Sequence, residues 1–171
     1  MGERRYGGKA VGNDSPTDLP GRPPHHPTAL PSAGRLLGLD WGEKRVGLAL
    51  SDPSQTLAQP LATLIRRGGR RFPMRAFREH VDTHHPTGVV LGLPLEASGE
   101  EGPAASAVRE LGSAIARATG LPVDYLDERM TTSRVRQAVS ELGGRIRGRE
   151  AEVDRLAATV LLQSYLDRRG R

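Results

Sequence analysis

The sequence predicts an α/β fold built on a mixed five-stranded sheet flanked by helices, with the element order βββαβαβαα. Three observations carry this. Three apolar, strand-length runs crowd between residues 35 and 65 with no helical periodicity among them. From residue 73 onward, short apolar runs alternate with helix-period segments. The chain then closes on a long amphipathic pattern over residues 150 to 168. A three-strand meander followed by βα units places the first strand in the middle of the sheet, with helices on both faces.

In chain order, residues 1 to 33 hold six Pro and five Gly with almost no apolar periodicity, which predicts a disordered tail ahead of a single domain over 34–171. His25 and His26 lie in that tail without carboxylate support and are expected to be solvated. "LLGLDW" and "KRVGLALS" are two strands joined by a tight turn at Gly42 and Glu43, and "TLAQPLATLI" is a third, in which Pro60 marks a bend or an edge. Pro73 suits the first position of a helix whose Met74, Phe77 and Val81 share a face. "GVVLGLP" is a short buried strand. A second helix starts near Pro103 with Val108, Leu111 and Ile115 inward, and "LPVDYLDE" is the fifth strand. Val135, Ala138, Val139 and Leu142 mark a third helix ending at Gly143 and Gly144, before the long closing helix.

Composition narrows the function. At 171 residues with 36% apolar content the chain suits one domain with an ordinary core. It has no Cys, which excludes disulfides, thiolate chemistry and Cys-ligated zinc. No apolar run approaches the ~18 residues of a membrane span, so a cytoplasmic protein without membrane contact is expected. Net charge is +5, and the 25 basic residues are almost all Arg, 23 against 2 Lys. Planar guanidinium groups favour bidentate contacts to phosphate, so a polyanionic partner is expected.

The acids are more telling. Asp40 sits inside a strand pattern, where an unpaired carboxylate must be neutralised, hydrogen-bonded or metal-bound. An Asp before Gly can also cap a turn, which is the plainer role. The fifth strand ends in Asp127 and Glu128; successive strand residues point to opposite faces, so at most one of them shares the face of Asp40. On the last helix, at about 100° per residue, Glu152, Arg155, Thr159 and Gln163 form a polar stripe. Asp154 instead falls with Ala157, Ala158, Leu161 and Tyr165 on the side that packs on the sheet. Three acids from three elements would then meet on one side of the sheet. Oxygen-only ligands without Cys or a placed His suit Mg²⁺ or Mn²⁺, and two such ions about 4 Å apart provide the two-metal route to phosphodiester hydrolysis.

The stretches "LGLDWGEKRVGLALSD", "VVLGLPLEASGEEG", "YLDERMTT" and "VDRLAATVLLQSYL" resemble, in order and spacing, the YqgF family of bacterial ribonuclease H-like proteins, described as Holliday junction resolvases and as pre-16S rRNA nucleases. The resemblance spans about residues 34 to 168 and implies the ribonuclease H fold with a mixed five-stranded sheet. It also implies that Asp40, Glu128 and Asp154 are the catalytic, metal-holding acids, which selects Glu128 over Asp127. The Pro-rich stretch before Gly34 has no counterpart in the family's shorter pattern. Arg155 stands where a small residue is common, and "RIRGRE" replaces a Lys-rich stretch.

Two blocks carry the positive charge. Residues 66 to 78 hold six Arg and no acid; residues 129 to 149 hold six Arg, among them Arg129, Arg145, Arg147 and Arg149, against Glu141 alone. They are the expected phosphate contacts, with Lys44 and Arg45 at the turn beside Asp40 orienting a phosphate. Only 4% of residues are aromatic, which argues for recognition of backbone and shape. "GLPLEASGEEG" is expected to loop over the site, and His80, His84 and His85 are assigned no catalysis. Pre-rRNA or branched DNA, within a ribosome precursor in the first case, is the expected partner of a monomer or homodimer. A non-catalytic nucleic-acid-binding module is the competing class. A kinase of the actin type, which also opens on a D-x-G hairpin, needs a second domain for which the residues from Gly34 leave no room.

Overall fold

The computed structural model of the protein describes residues 30–66, 68, 71–130 and 148–170. Strands β1 (Leu36–Trp41) and β2 (Arg45–Ser51) form an antiparallel hairpin, to which β3 (Ala58–Ile65) adds antiparallel. On the other side of β1, β4 (Gly88–Leu93) pairs parallel, and β5 (Val123–Asp127) pairs parallel to β4. The order across the sheet is β3-β2-β1-β4-β5, so the first strand is central, as the meander followed by crossovers requires. The helices are α1 (Met74–His84), α2 (Pro103–Thr119) and α3 (Glu150–Arg169). The helix expected over Val135 to Leu142, with Arg145 and Arg147, lies outside the described residues, as do residues 1–29.

Local chemistry accounts for each joint. The Gly42 amide donates to the Arg45 carbonyl at 3.0 Å, closing the β1–β2 turn. Pro60 stands opposite Ala49 on the outer strand, where the register slips between Leu48 and Ala49; a residue with no N–H is tolerated at such an edge bulge. Pro73 occupies the position before α1 rather than its first turn, so the helix begins one residue later than the pattern suggests. Pro103 does open α2, which ends at Gly120 with φ 73°. All six residues of β4 are buried, as a strand covered on both faces must be.

Alternation along the strands separates two cores. Leu37, Leu39, Val46, Leu48, Val89 and Leu91 point towards α1 and α2 and pack with Phe77, Val108 and Ile115. Leu36, Ala49, Val90 and Leu126 point towards α3 and meet Ala158, Leu161, Leu162 and Tyr165. Leu30 belongs to this second core at 4% exposure, and its carbonyl accepts from the Arg169 guanidinium at 2.6 Å. The packed chain therefore reaches back to Leu30, ahead of the expected domain start at Gly34.

Candidate active site

Asp40 lies two residues beyond Gly38 on β1, so it points to the α3 face. Its partner across the hairpin is Gly47. A Cβ built on Gly47 would stand 1.9 Å from the Asp154 carbonyl oxygen, and one on Gly38 would stand 2.7 Å from Leu162 Cβ. These two bare positions let the backbone of α3 settle directly on β1 and β2, which brings the Asp154 end of the helix over Asp40.

Glu128 arrives from the other side. The residues Glu128–Met130 form a single 3₁₀ turn after β5. A Cβ on Gly92, one step beyond the Leu39–Leu91 pair, would meet Glu128 Oε1 at 2.4 Å and Leu161 Cδ1 at 2.5 Å. The Glu128 carboxylate thus lies over β4 on the α3 face, the face of Asp40. Asp127 turns the other way and takes the Arg129 guanidinium, with Nη2 to Oδ2 at 2.7 Å. The parity question left open by the strand pattern is answered by these contacts.

The electrostatics record the crowding. Burial, and then the charge of Asp154, raise the Asp40 carboxyl from 3.8 to about 6. Burial, then Asp40, then Asp127, raise Glu128 from 4.5 to about 7. Asp40 is thus coupled to both other acids. Asp154 differs, because Arg45 Nε donates to its Oδ2 at 2.5 Å. Among the described residues no three His, Asp or Glu side chains are grouped so as to hold a metal ion. Two half-buried, mutually repelling carboxylates offer hard oxygen donors and excess negative charge, which suits a divalent cation. Asp154 would add to that set on leaving Arg45.

The remaining expected residues divide. Lys44 is exposed at the hairpin tip. Arg129 is paired with Asp127, and Arg149 with Glu152 at 2.6 Å, so an incoming phosphate would compete with a carboxylate at each. Arg145 and Arg147 lie outside the described residues. The loop after β4 folds on itself, with the Glu96 amide donating to the Glu100 carbonyl at 3.0 Å, and Gly99 lies beside the Arg129 guanidinium. His80 and His84 stack with ring centres 6.0 Å apart on α1, away from the acids. Arg66, from the first basic block, serves the fold: its Nη1 donates to the carbonyls of Gly42 and Glu43, both at 2.8 Å, tying down the hairpin. Sequence reasoning missed this role, and also the spacing role of Gly47 and Gly92. For those two the signal was present, since a Gly inside a strand marks a close backbone approach.

Residues 34–168 match the family described as "RuvX: Holliday junction resolvase". A protein of Paramagnetospirillum magneticum, named "Putative pre-16S rRNA nuclease", is 43% identical over 80% of this chain and 87% of its own. A protein of Moorella thermoacetica with the same name is 41% identical over 80% and 96%. One from Mycobacterium sp. (strain KMS) is 38% identical over 91% of each chain. That share is more than the stretch from Gly34 onward can supply, so part of the Pro-rich extension does have a counterpart in a relative. The solved structure of T. thermophilus RuvC in complex with Holliday junction substrate aligns with 80% of this chain and 96% of its own at 18% identity and a TM-score of 0.46. Among the described residues no helix is long and apolar enough to cross a membrane. The chain belongs to the RuvX family of nucleases, the family that its motifs resemble under the name YqgF.

Proposed function

We propose that the protein is a divalent-metal-dependent endonuclease that processes the 5′ end of pre-16S rRNA during ribosome biogenesis in the cytoplasm, with Asp40, Glu128 and Asp154 as its catalytic acids. One observation carries the reading: Asp40 and Glu128 share one face of the sheet, and burial together with the charge of neighbouring carboxylates raises their carboxyls to about 6 and about 7. Mg²⁺ or Mn²⁺ would be held by these two, with Asp154 joining them. Bound there, such an ion lowers the pKa of a water and stabilises the leaving oxygen. Arg45, which pairs with Asp154, would on release from it neutralise the scissile phosphate together with Lys44. Arg129 and Arg149, with Arg145 and Arg147, extend the phosphate contacts along the strand.

The rRNA substrate is favoured by the names of the curated relatives, and branched DNA by the description of the family. The full chain should be incubated in parallel with pre-16S rRNA carrying its 5′ leader and with a four-way DNA junction, with Mg²⁺, Mn²⁺ or chelator, and the new ends mapped. Cleavage at the mature 5′ end that requires the ion is expected. A cut junction beside intact rRNA makes the protein a resolvase, and binding of both without cleavage makes it a non-catalytic assembly factor.

A further inference from the structure

The chain is poor in aromatics, with one Trp and two Phe, yet these three stand together. Trp41 and Phe72 have ring centres 6.1 Å apart, and Phe72 and Phe77 5.4 Å. Phe77 is core. Trp41 and Phe72 are only partly buried and, with Met74 and Leu111, line an open groove of about 870 Å³ between the start of α1 and α2. Among the described residues its lining carries three cations, Arg66, Arg71 and Arg117, against one acid, Glu110. The Arg66 guanidinium lies 3.8 Å over the Trp41 ring, anchored by its bonds to the hairpin carbonyls.

A groove that offers planar π surfaces and a flat guanidinium, with further cations at its rim, is complementary to a ligand both aromatic and anionic. A nucleotide is both. The open groove leaves room for a nucleotide to lie along it without displacing a side chain of the core. We propose that this groove holds an unpaired nucleotide of the nucleic-acid substrate, the base against Trp41, Arg66 and Phe72 and the phosphates on Arg71 and Arg117. The proposal rests on the nucleic-acid reading above and extends it. Asp40 and Trp41 are neighbours on β1 whose side chains point to opposite faces, with the β1–β2 turn beyond them. A strand that bends around this hairpin reaches both, so the groove would take the segment flanking the cut bond. An acidic peptide would satisfy the arginines but leave the aromatic planes unused.

Trp41 is the only tryptophan, so selectively excited tryptophan fluorescence reports on the surroundings of this one ring, and the groove variants separate binding in the groove from binding at Asp40. The full chain, in chelator, is titrated with a short single-stranded oligoribonucleotide and, separately, with polyglutamate. The expected result is saturable quenching by the oligonucleotide and none by polyglutamate. Phe72→Ala should weaken binding about fivefold or more, since stacking on one aromatic is worth about 1–3 kcal/mol, and Arg117→Glu should weaken it at least as much by setting a carboxylate against the phosphates. Arg117 is exposed, so its variant keeps the fold and separates the groove from binding at the acids. An unchanged spectrum, an equal response to polyglutamate, or undiminished affinity in Arg117→Glu overturns the proposal. Quenching without cleavage of any substrate would leave the groove standing and remove the nuclease reading, whereas ion-dependent cleavage with no quenching would do the reverse.

Discussion

The two faces of the sheet solve the same packing problem with opposite residues. Towards α1 and α2, β1 and β2 present Leu37, Leu39, Val46 and Leu48, and the helices stand off on large side chains. Towards α3, the same strands present Gly38 and Gly47 between Leu36, Asp40 and Ala49, and the helix lies on bare backbone. One face maximises buried apolar area, while the other gives up side-chain volume so that the start of α3 settles beside Asp40 and brings Asp154 close enough to act on it. The first face stabilises the domain, and the second spends some of that stability on a cluster of charge.

The comparison is broken most severely at Gly47. Gly47→Ala places a methyl against the Asp154 carbonyl, a backbone atom that cannot step aside without moving α3. A loss of more than about 4 kcal/mol in denaturant unfolding is expected, where an Ala in the middle of an ordinary strand would be mild. On the opposite face, Phe77→Ala should cost about 3–5 kcal/mol by cavity formation, since Phe77 has no exposure at all, while the pH dependence of stability keeps its shape.

Removing a charge from the α3 face should have the opposite sign. The Asp40 carboxyl titrates near 3.8 when unfolded and about 6 when folded, so the native state holds its proton more tightly. Its ionisation therefore lowers stability progressively from about pH 4 to pH 6 and leaves the loss in place above that. Glu128 continues the trend from 4.5 to about 7. Asp40→Asn should raise the metal-free stability at pH 8 by on the order of 2 kcal/mol and flatten the decline measured in unfolding curves across that range. A variant with unchanged stability at every pH would mean that Asp40 bears no such strain. The smallest effect is expected at Tyr165→Phe. The Tyr165 hydroxyl donates to Asp124 Oδ2 at 2.6 Å at the far end of α3, and its loss should cost about 1 kcal/mol without altering cleavage.

The architecture was legible because it follows from periodicity: β1 to β5, the three described helices and the central place of β1 all obey apolar spacing and connection rules. The inward position of Asp154 was legible for the same reason, since 3.6-residue periodicity ties it to Leu161 and Tyr165. The choice between Asp127 and Glu128 was not legible from alternation, because a 3₁₀ turn begins where the strand ends, and Gly92 and Arg129 then decide it. Nor was the Arg45–Asp154 pair, whose partners are 109 residues apart and share no pattern. Arg66 looks like any other Arg of a basic run until the turn carbonyls that it caps are placed beside it.

If the mutually repelling acids of the α3 face carry hydrolysis, removing one charge should stop cleavage and spare binding. The most direct test is single-turnover cleavage of 5′-labelled pre-16S rRNA by the wild-type chain, Asp40→Asn and Glu128→Gln under saturating Mg²⁺, with RNA binding measured alongside. Both variants are expected to bind RNA as tightly as the wild type, to be at least as stable, and to cleave slower by about a thousandfold or more. Cleavage by Asp40→Asn at the wild-type rate would mean that hydrolysis does not take place at these acids.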